Sequence, residues 1–434
     1  MSAIEIAQGI AGGIAGGVDV VPVSQTPCLD RLAALRPAER WPLARDLIAN
    51  ETRAFFAELR AHAPIYETSE VTLIAKRADV IEVLSIPKVF TVDLYKPKMG
   101  DFMLAMDETV VNYRDKSVMR AILAFDDLPK IRAVVAEVAD TALDAAGCEI
   151  EAVQQLARHV PMRIVQRCFG IHGPDQDLLD WSYANQMDQF NNLPYDGRPD
   201  AEAIHQAAED SRVKLRTLFA QLIPARIAQI KAGTAPDDSL TRILSLNLPA
   251  SDHFGMDRVV INVGGLLIGA IETTAEAVIN ALAELFSRPE ALAGARAAAI
   301  AGDDAAFDGY VWEALRFSPI VAFMFREAAS TVTIAKGTPR EKVIGKGTVV
   351  LPLSLSAMFD PDFVPDPEAF RPDRPFHTYL HFGYGHHECL GRYVGSVMIP
   401  EIVKRVLRRP TSRPLAPVDM AGTPFPQSYR IGLE

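Results

Sequence analysis

The sequence predicts a mainly helical fold with a minor β subdomain. Apolar residues recur at helical spacing through most of the chain, strand-like runs are short and sparse, and 49% of the 434 residues are hydrophobic, enough for a large core. Charged residues make up 23%, and Lys+Arg 44 against Asp+Glu 55 gives a formal net charge of −11. This composition excludes disordered, collagen-like and disulfide-stapled chains. The acidic balance argues against a dedicated nucleic-acid binder, which must neutralise phosphates. Cys28, Cys148, Cys168 and Cys389 are widely spaced and form no CxxC, so neither a zinc ribbon nor a disulfide framework is expected.

The elements follow in order. Residues 1–25 repeat Gly-Ile-Ala-Gly-Gly within Gly9 to Gly17, carry Glu5 and Asp19 and lack a basic stretch, which predicts a mobile extension and not a signal peptide. Beyond it no Gly/Ser linker or compositional shift appears, so residues 26–434 are expected to form one domain. Helical periodicity runs over Ala44 to His62 (Ile48, Phe55, Phe56, Leu59), Ile131 to Ala145, Glu151 to Phe169 and Ala203 to Ala232. Strands are expected at Val71 to Ala75, Thr331 to Ile334 and Thr348 to Leu353. The longest apolar run, Val259 to Ile271, is interrupted by Asn262 and meets Glu272, so no membrane anchor is expected, and a reducing cytoplasmic setting follows as the default.

Two regions stand out. Asp257 to Phe286 predicts a single helix of roughly 30 residues, about 45 Å long. Gly264 and Gly265 inside it suit close helix packing, whereas Gly269-Ala270, followed by Glu272-Thr273-Thr274, suits a local opening beside a ligand. The second region, Phe359 to Gly395, contains Pro361, Pro365, Pro367, Pro372 and Pro375, which forbid a continuous helix or central strand. It leads through a Gly-punctuated loop to Cys389, just before the helical periodicity of Tyr393 to Leu407, where a helix N-terminus favours thiolate. Three uses of Cys389 compete: a nucleophile partnered by His387, a ligand to zinc or non-haem iron with His377, His381, His386 and His387, and an axial thiolate to haem.

The stretch Phe382 to Gly391 reads Phe-Gly-Tyr-Gly-His-His-Glu-Cys-Leu-Gly and resembles the cysteine loop of the cytochrome P450 family at each defined position of its Phe-Gly-x-Gly-x-His-x-Cys-x-Gly pattern. Glu313-Ala314-Leu315-Arg316 resembles the family's Glu-x-x-Arg, and Gly269 to Thr274 its Ala/Gly-Gly-x-Asp/Glu-Thr-Thr/Ser element. Phe370 to Arg374 and Phe56 to Arg60 extend the likeness from about Ala44 to the C-terminus. The chain departs from the pattern at Ala270, at Val394-Gly395 and at Ala357 to Pro361.

The resemblance implies a single P450-like fold around a buried haem b whose iron is ligated by Cys389. Phe382 would shield the sulfur, and Gly383, Gly385 and Gly391 would let the backbone approach the porphyrin. His387 and Arg326 would hold propionates, with Arg120 preferred over Arg114 and Lys116 for a further contact. Thr273 with Glu272 would deliver protons during dioxygen activation. Glu313, Arg316 and Arg374 would form a buried structural network. Val263, Leu266, Leu267, Ile268, Val321, Phe323 and Met324, with Phe102, Met103, Met106, Phe425 and Pro426, are the expected apolar substrate surface. The implied activity is hydroxylation or epoxidation of an apolar substrate. NAD(P)H-derived electrons would arrive through a separate ferredoxin, or a flavodoxin, and its reductase, docking near Arg392, Lys116 and Arg120. The alternatives are a peroxygenase or hydroperoxide-rearranging enzyme and a haem-based ligand sensor.

Overall fold

The computed structural model describes residues 26–107 and 109–434, so the extension expected over residues 1–25 lies outside the described residues. Two compact units emerge. One comprises the described residues up to Thr109 with Pro319–Cys389, the other Val110–Ser318 with Leu390–Glu434. Each is assembled from separated stretches of chain, so no local change of composition marks a boundary.

In the first unit, α1 (Pro37–Asn50) and α2 (Thr52–His62) divide the helical run expected from Ala44 to His62. The break falls at Glu51, where the Thr52 hydroxyl takes the Ile48 carbonyl at 2.5 Å and the Glu51 carboxylate turns to Arg31 at 2.7 Å. Next come β1 (Ile65–Glu67), β2 (Val71–Ile74), α3 (Arg77–Ser85) and β3 (Phe90–Thr91). After the excursion into the second unit the chain returns with β4 (Arg326–Ala328), β5 (Val332–Ile334), β6 (Lys342–Ile344) and β7 (Val349–Pro352). One sheet has the order β1-β2-β7-β4-β3, with β2 and β7 parallel, Val71 opposite Val349 and Leu73 opposite Leu351. β5 and β6 pair separately. Past Met358 the chain is irregular, as its prolines require, with single turns at Phe376–Thr378 and Gly385–His387.

The second unit is helical: α4 (Val110–Ile122), α5 (Leu128–Ala146), α6 (His159–Arg167), α7 (Asp175–Asn191), α8 (Ala201–Ala232), α9 (Met256–Ala270), α10 (Glu272–Phe286), α11 (Pro289–Ala301), α12 (Asp304–Phe317) and α13 (Arg392–Leu407). α10 lies at its centre, against α11, α12 and α13, with Val278, Ile279, Ala281, Leu282 and Leu285 fully buried. A small antiparallel sheet joins Glu149–Glu151, Arg430–Gly432 and Arg413–Pro414.

Two expected helices are interrupted. The Glu151 to Phe169 run becomes a strand end, a π-turn over Val153–Ala157 and then α6, and in that turn the Arg158 N–H reaches back five residues to the Val153 carbonyl at 2.9 Å. The long run opens at Ile271, between α9 and α10. Met256–Phe286 is long enough, and contains an 18-residue window apolar enough, to cross a membrane, yet 56% of that window is buried, as befits a core element.

Candidate functional site

The cysteine loop is shaped by its backbone. The Cys389 N–H donates to the Phe382 carbonyl at 2.8 Å and the Glu388 N–H to that of Gly385 at 3.1 Å. Gly383 (φ +75°) and Gly385 (φ +72°) occupy the left-handed region, and a Cβ on Gly385 would stand 2.8 Å from the Leu84 carbonyl oxygen. Gly391 has an ordinary φ of −79° and opens α13. Phe382 stacks on Phe376 at 6.4 Å, and the Cys389 thiol is exposed. Among the described residues no three His, Cys, Asp or Glu side chains converge on a point where a metal ion fits, so the zinc or non-haem iron centre considered for the histidine cluster is not formed.

Arg326 carries the test of whether a haem would fit. Its side chain is buried, and among the described residues its one hydrogen-bond acceptor is the Phe325 carbonyl, at 2.7 Å, with no carboxylate in ion-pair contact. Burial pushes its pKa below the ordinary arginine value. A buried guanidinium with no carboxylate in contact, on which the Asp107 charge acts only at longer range, suits an anionic group such as a haem propionate. His387 is less available, because its Nε2 meets Asp107 Oδ1 at 2.9 Å. Of the basic residues considered for a further contact, Arg120 is exposed on α4, whereas Lys116 is buried. Arg114 pairs with Asp115 at 2.6 Å and donates to the His253 carbonyl at 3.2 Å. Burial also removes Lys116 from any surface that steers a partner.

The α9–α10 break is shaped by side chains. Opening a helix frees carbonyls. Ser182 Oγ donates to the Leu267 oxygen at 3.4 Å, Gln186 Nε2 to that of Ile268 at 2.7 Å, and Thr273 Oγ1 to that of Gly269 at 2.7 Å. Thr273 thus makes the ordinary i−4 bond of a helical threonine in this conformation. A Cβ on Gly269 would meet nothing within 4 Å, in keeping with a local opening, whereas one on Gly264 would touch Leu215 and Phe219 at 3.4 and 3.5 Å. Glu272 is 2% exposed and accepts from Arg158 Nε at 2.9 Å and Nη2 at 2.8 Å. Arg158 also reaches the Pro426 carbonyl at 3.3 Å and lies 5.6 Å from the Tyr183 ring centre. Burial pushes the Glu272 carboxyl up, and the Arg158 charge opposes it.

Other expected residues divide. Glu313 and Arg316 are fully buried and paired through two bonds of 2.6 and 2.9 Å. Arg374 holds the carbonyls of Pro365, Asp366 and Ala369 in its own loop, a staple in addition to any part in that network. Val263 and Leu267 are 0% exposed and belong to the core, with no surface to offer a substrate; Leu266, Ile268, Phe323 and Met324 retain some, and Val321 is exposed. Arg158, Ser182, Gln186 and Asp107 were not singled out by the sequence. Each is an isolated polar residue whose meaning lies in a partner far along the chain.

The profile of the Cytochrome P450 family matches residues 85–414. A cyclomarin C epoxidase from Salinispora arenicola is 25% identical over 397 residues, covering 86% of this chain and 94% of that protein. A steroid C26-monooxygenase from Mycobacterium tuberculosis is 25% identical over 397 residues, covering 89% and 93%. The P450 haem domain of Tepidiphilus thermophilus has the same fold, with a TM-score of 0.74 at 18% identity over 93% of this chain and 97% of that one. A Chondromyces apiculatus P450 gives a TM-score of 0.73 at 20% identity over 89% and 96%. A mainly helical chain with small sheets and a glycine-shaped loop presenting a cysteine is the architecture of a haem-thiolate protein. The chain belongs to the cytochrome P450 family and is a P450 monooxygenase.

Proposed function

We propose that this monooxygenase inserts one atom of dioxygen into an apolar organic substrate, by hydroxylation or epoxidation, with NAD(P)H-derived electrons delivered by a separate ferredoxin, or a flavodoxin, and its reductase. Support comes from relatives that include an epoxidase and a steroid C26-monooxygenase. The observation that carries the cofactor assignment is the cysteine loop, whose two left-handed glycines set Cys389, in the unit that also buries Arg326 with no carboxylate in contact. The four cysteines are free, in keeping with a reducing cytoplasm.

Bound haem supplies dioxygen binding and O–O cleavage, which a thiolate ligand promotes. In this reading Cys389 would be that ligand, Phe382 would shield its sulfur and Arg326 would neutralise a propionate, with His387 oriented by Asp107. Glu272, held by Arg158, sets the local field. Rotation of Thr273 about χ1 releases its hydroxyl from the Gly269 carbonyl, free to order water and pass a proton. Arg392, over the Tyr393 ring of the exposed Phe125–Tyr393 pair, and the exposed Arg120 of α4 offer an acidic electron carrier charge and apolar contact.

An absorption spectrum of the purified protein, reduced and exposed to carbon monoxide, tests the assignment. Wild type shows a thiolate-type band that Cys389→Ser abolishes; absence of haem, or a band that persists in the variant, overturns it. Compounds that shift the spin state on binding identify the substrate class.

A further inference from the structure

Glu276 lies on α10, four residues after Glu272 and three after Thr273. At about 100° per residue, Thr273 stands roughly 100° around the helix from Glu272. Glu276 falls between them, about 40° from Glu272 and 60° from Thr273, one turn further along. Residues at these spacings are neighbours on a helix surface.

Among the described residues no hydrogen-bond donor or cation meets the Glu276 carboxyl. The following charged groups on elements packed around α10 in its unit are engaged elsewhere. Arg158, after the π-turn, binds Glu272. On α12, Glu313 and Arg316 bind each other, and on α13 Glu401, Lys404 and Arg405 pair with Arg132, Asp304 and Asp140. Arg288 before α11 pairs with Glu284, and Arg296 on α11 donates to the Ser412 carbonyl. Asp188 on α7 takes Arg212, Arg258 on α9 takes Asp115, and Arg413 donates to the Glu434 carbonyl. Two carboxyls one turn apart therefore share a single cation, and Arg158 gives it to Glu272. Like charges at this spacing disfavour one another, and the member without the cation is the one more readily protonated. Protein atoms crowd the half-buried Glu276, and burial together with the Glu272 charge raises its pKa well above the carboxylate range.

We propose that Glu276 is the proton-bearing carboxyl of the relay through Thr273, while Glu272, ionised against Arg158, is its positioning partner. This rests on the reading of Thr273 as the relay alcohol. Glu276 gives its proton to a water at the Thr273 hydroxyl. The hydroxyl passes its own proton forward, takes one back from that water and ends unchanged, and the Glu276 carboxylate is reprotonated from solvent. The overall reaction, substrate plus dioxygen plus two electrons plus two protons to oxygenated substrate plus water, draws its electrons from the carrier and its protons along this route.

Infrared spectroscopy of the full protein and coupling measurements test it together. With Asp308, whose buried carboxyl is also pushed up, replaced by Asn throughout, a protonated-carboxyl band is expected at neutral pH, retained in Thr273→Ala and Glu276→Asp, and lost in Glu276→Gln. Product formed per NAD(P)H consumed falls in wild type as pH rises through the Glu276 titration. In Glu276→Gln it is several-fold lower and independent of pH, and Glu276→Asp restores the dependence. A band that survives in Glu276→Gln, or a wild-type pH profile in that variant while Thr273→Ala uncouples, overturns the role of Glu276 alone. Wild-type coupling in Thr273→Ala overturns the underlying relay instead.

Discussion

In the cysteine loop, position is set by the backbone: Gly383 and Gly385 take left-handed φ, and the Leu84 carbonyl leaves no room for a side chain at 385. At the α9–α10 break it is set by side chains from elsewhere, with Arg158 on Glu272, Ser182 and Gln186 on freed carbonyls, and Tyr183 beside Arg158. The loop contains its own instructions; the break borrows its instructions from α7 and the π-turn. Damage to the two therefore differs in kind. A steric fault against a backbone atom has no side-chain remedy, whereas an unbalanced charge is corrected by removing its partner.

Arg158→Leu gives the largest expected effect. Glu272 becomes a buried charge without a counter-ion, at a cost of about 3–5 kcal/mol. Denaturant unfolding reads the loss, and adding Glu272→Gln recovers most of it; a double variant as unstable as the single one would show that the charge is not what Arg158 balances. Gly385→Ala comes next, combining a left-handed φ with a contact against the Leu84 oxygen. It costs about 1–3 kcal/mol and lowers the haem-to-protein ratio on purification. Substituting the Leu84 side chain does not relieve it, because the clash is with main chain.

The comparison also explains what could be read from one dimension. Phe-Gly-x-Gly-x-His-x-Cys-x-Gly is visible because a loop that dictates its own backbone writes its glycines and its cysteine within ten residues. β2 was legible because its four residues are all buried, while β1, β3 and β4, two or three residues long, show no period. Arg158 and Glu272 are 114 positions apart, and nothing near Arg158 separates it from a surface arginine. The opening at Ile271 was signalled by Gly269-Ala270, but the donors that make it tolerable were not. Exposure decided the rest: helical periodicity alone does not tell buried Lys116 from exposed Arg120.

A smaller effect sharpens the side-chain half of the contrast. On α12, Asp308 shares Arg132 with Asp304 and Glu401, stands 3.9 Å from it, and has a buried Oδ1 without a hydrogen bond among the described residues. Burial pushes its pKa up from 3.8 to about 7. With the folded value above the unfolded one, the stability it contributes is complete below about pH 4 and lost as pH rises through about 7. Asp308→Asn should raise Tm by a few degrees at pH 8 and leave it nearly unchanged at pH 5, read by thermal unfolding. An equal shift at both values would show that ionisation plays no part.

The π-turn at Val153–Ala157 makes one acid–base contact depend on chain length. It accommodates one residue more than an α-helix holds in the same span. Inserting a further residue after the turn, with no second bulge to absorb it, would swing the following side chains by about 100°. The buried Val160, Ile164 and Val165 would then leave the core as Arg158 left Glu272. An insertion of three nucleotides in this short stretch would thus act at a carboxylate more than a hundred positions downstream.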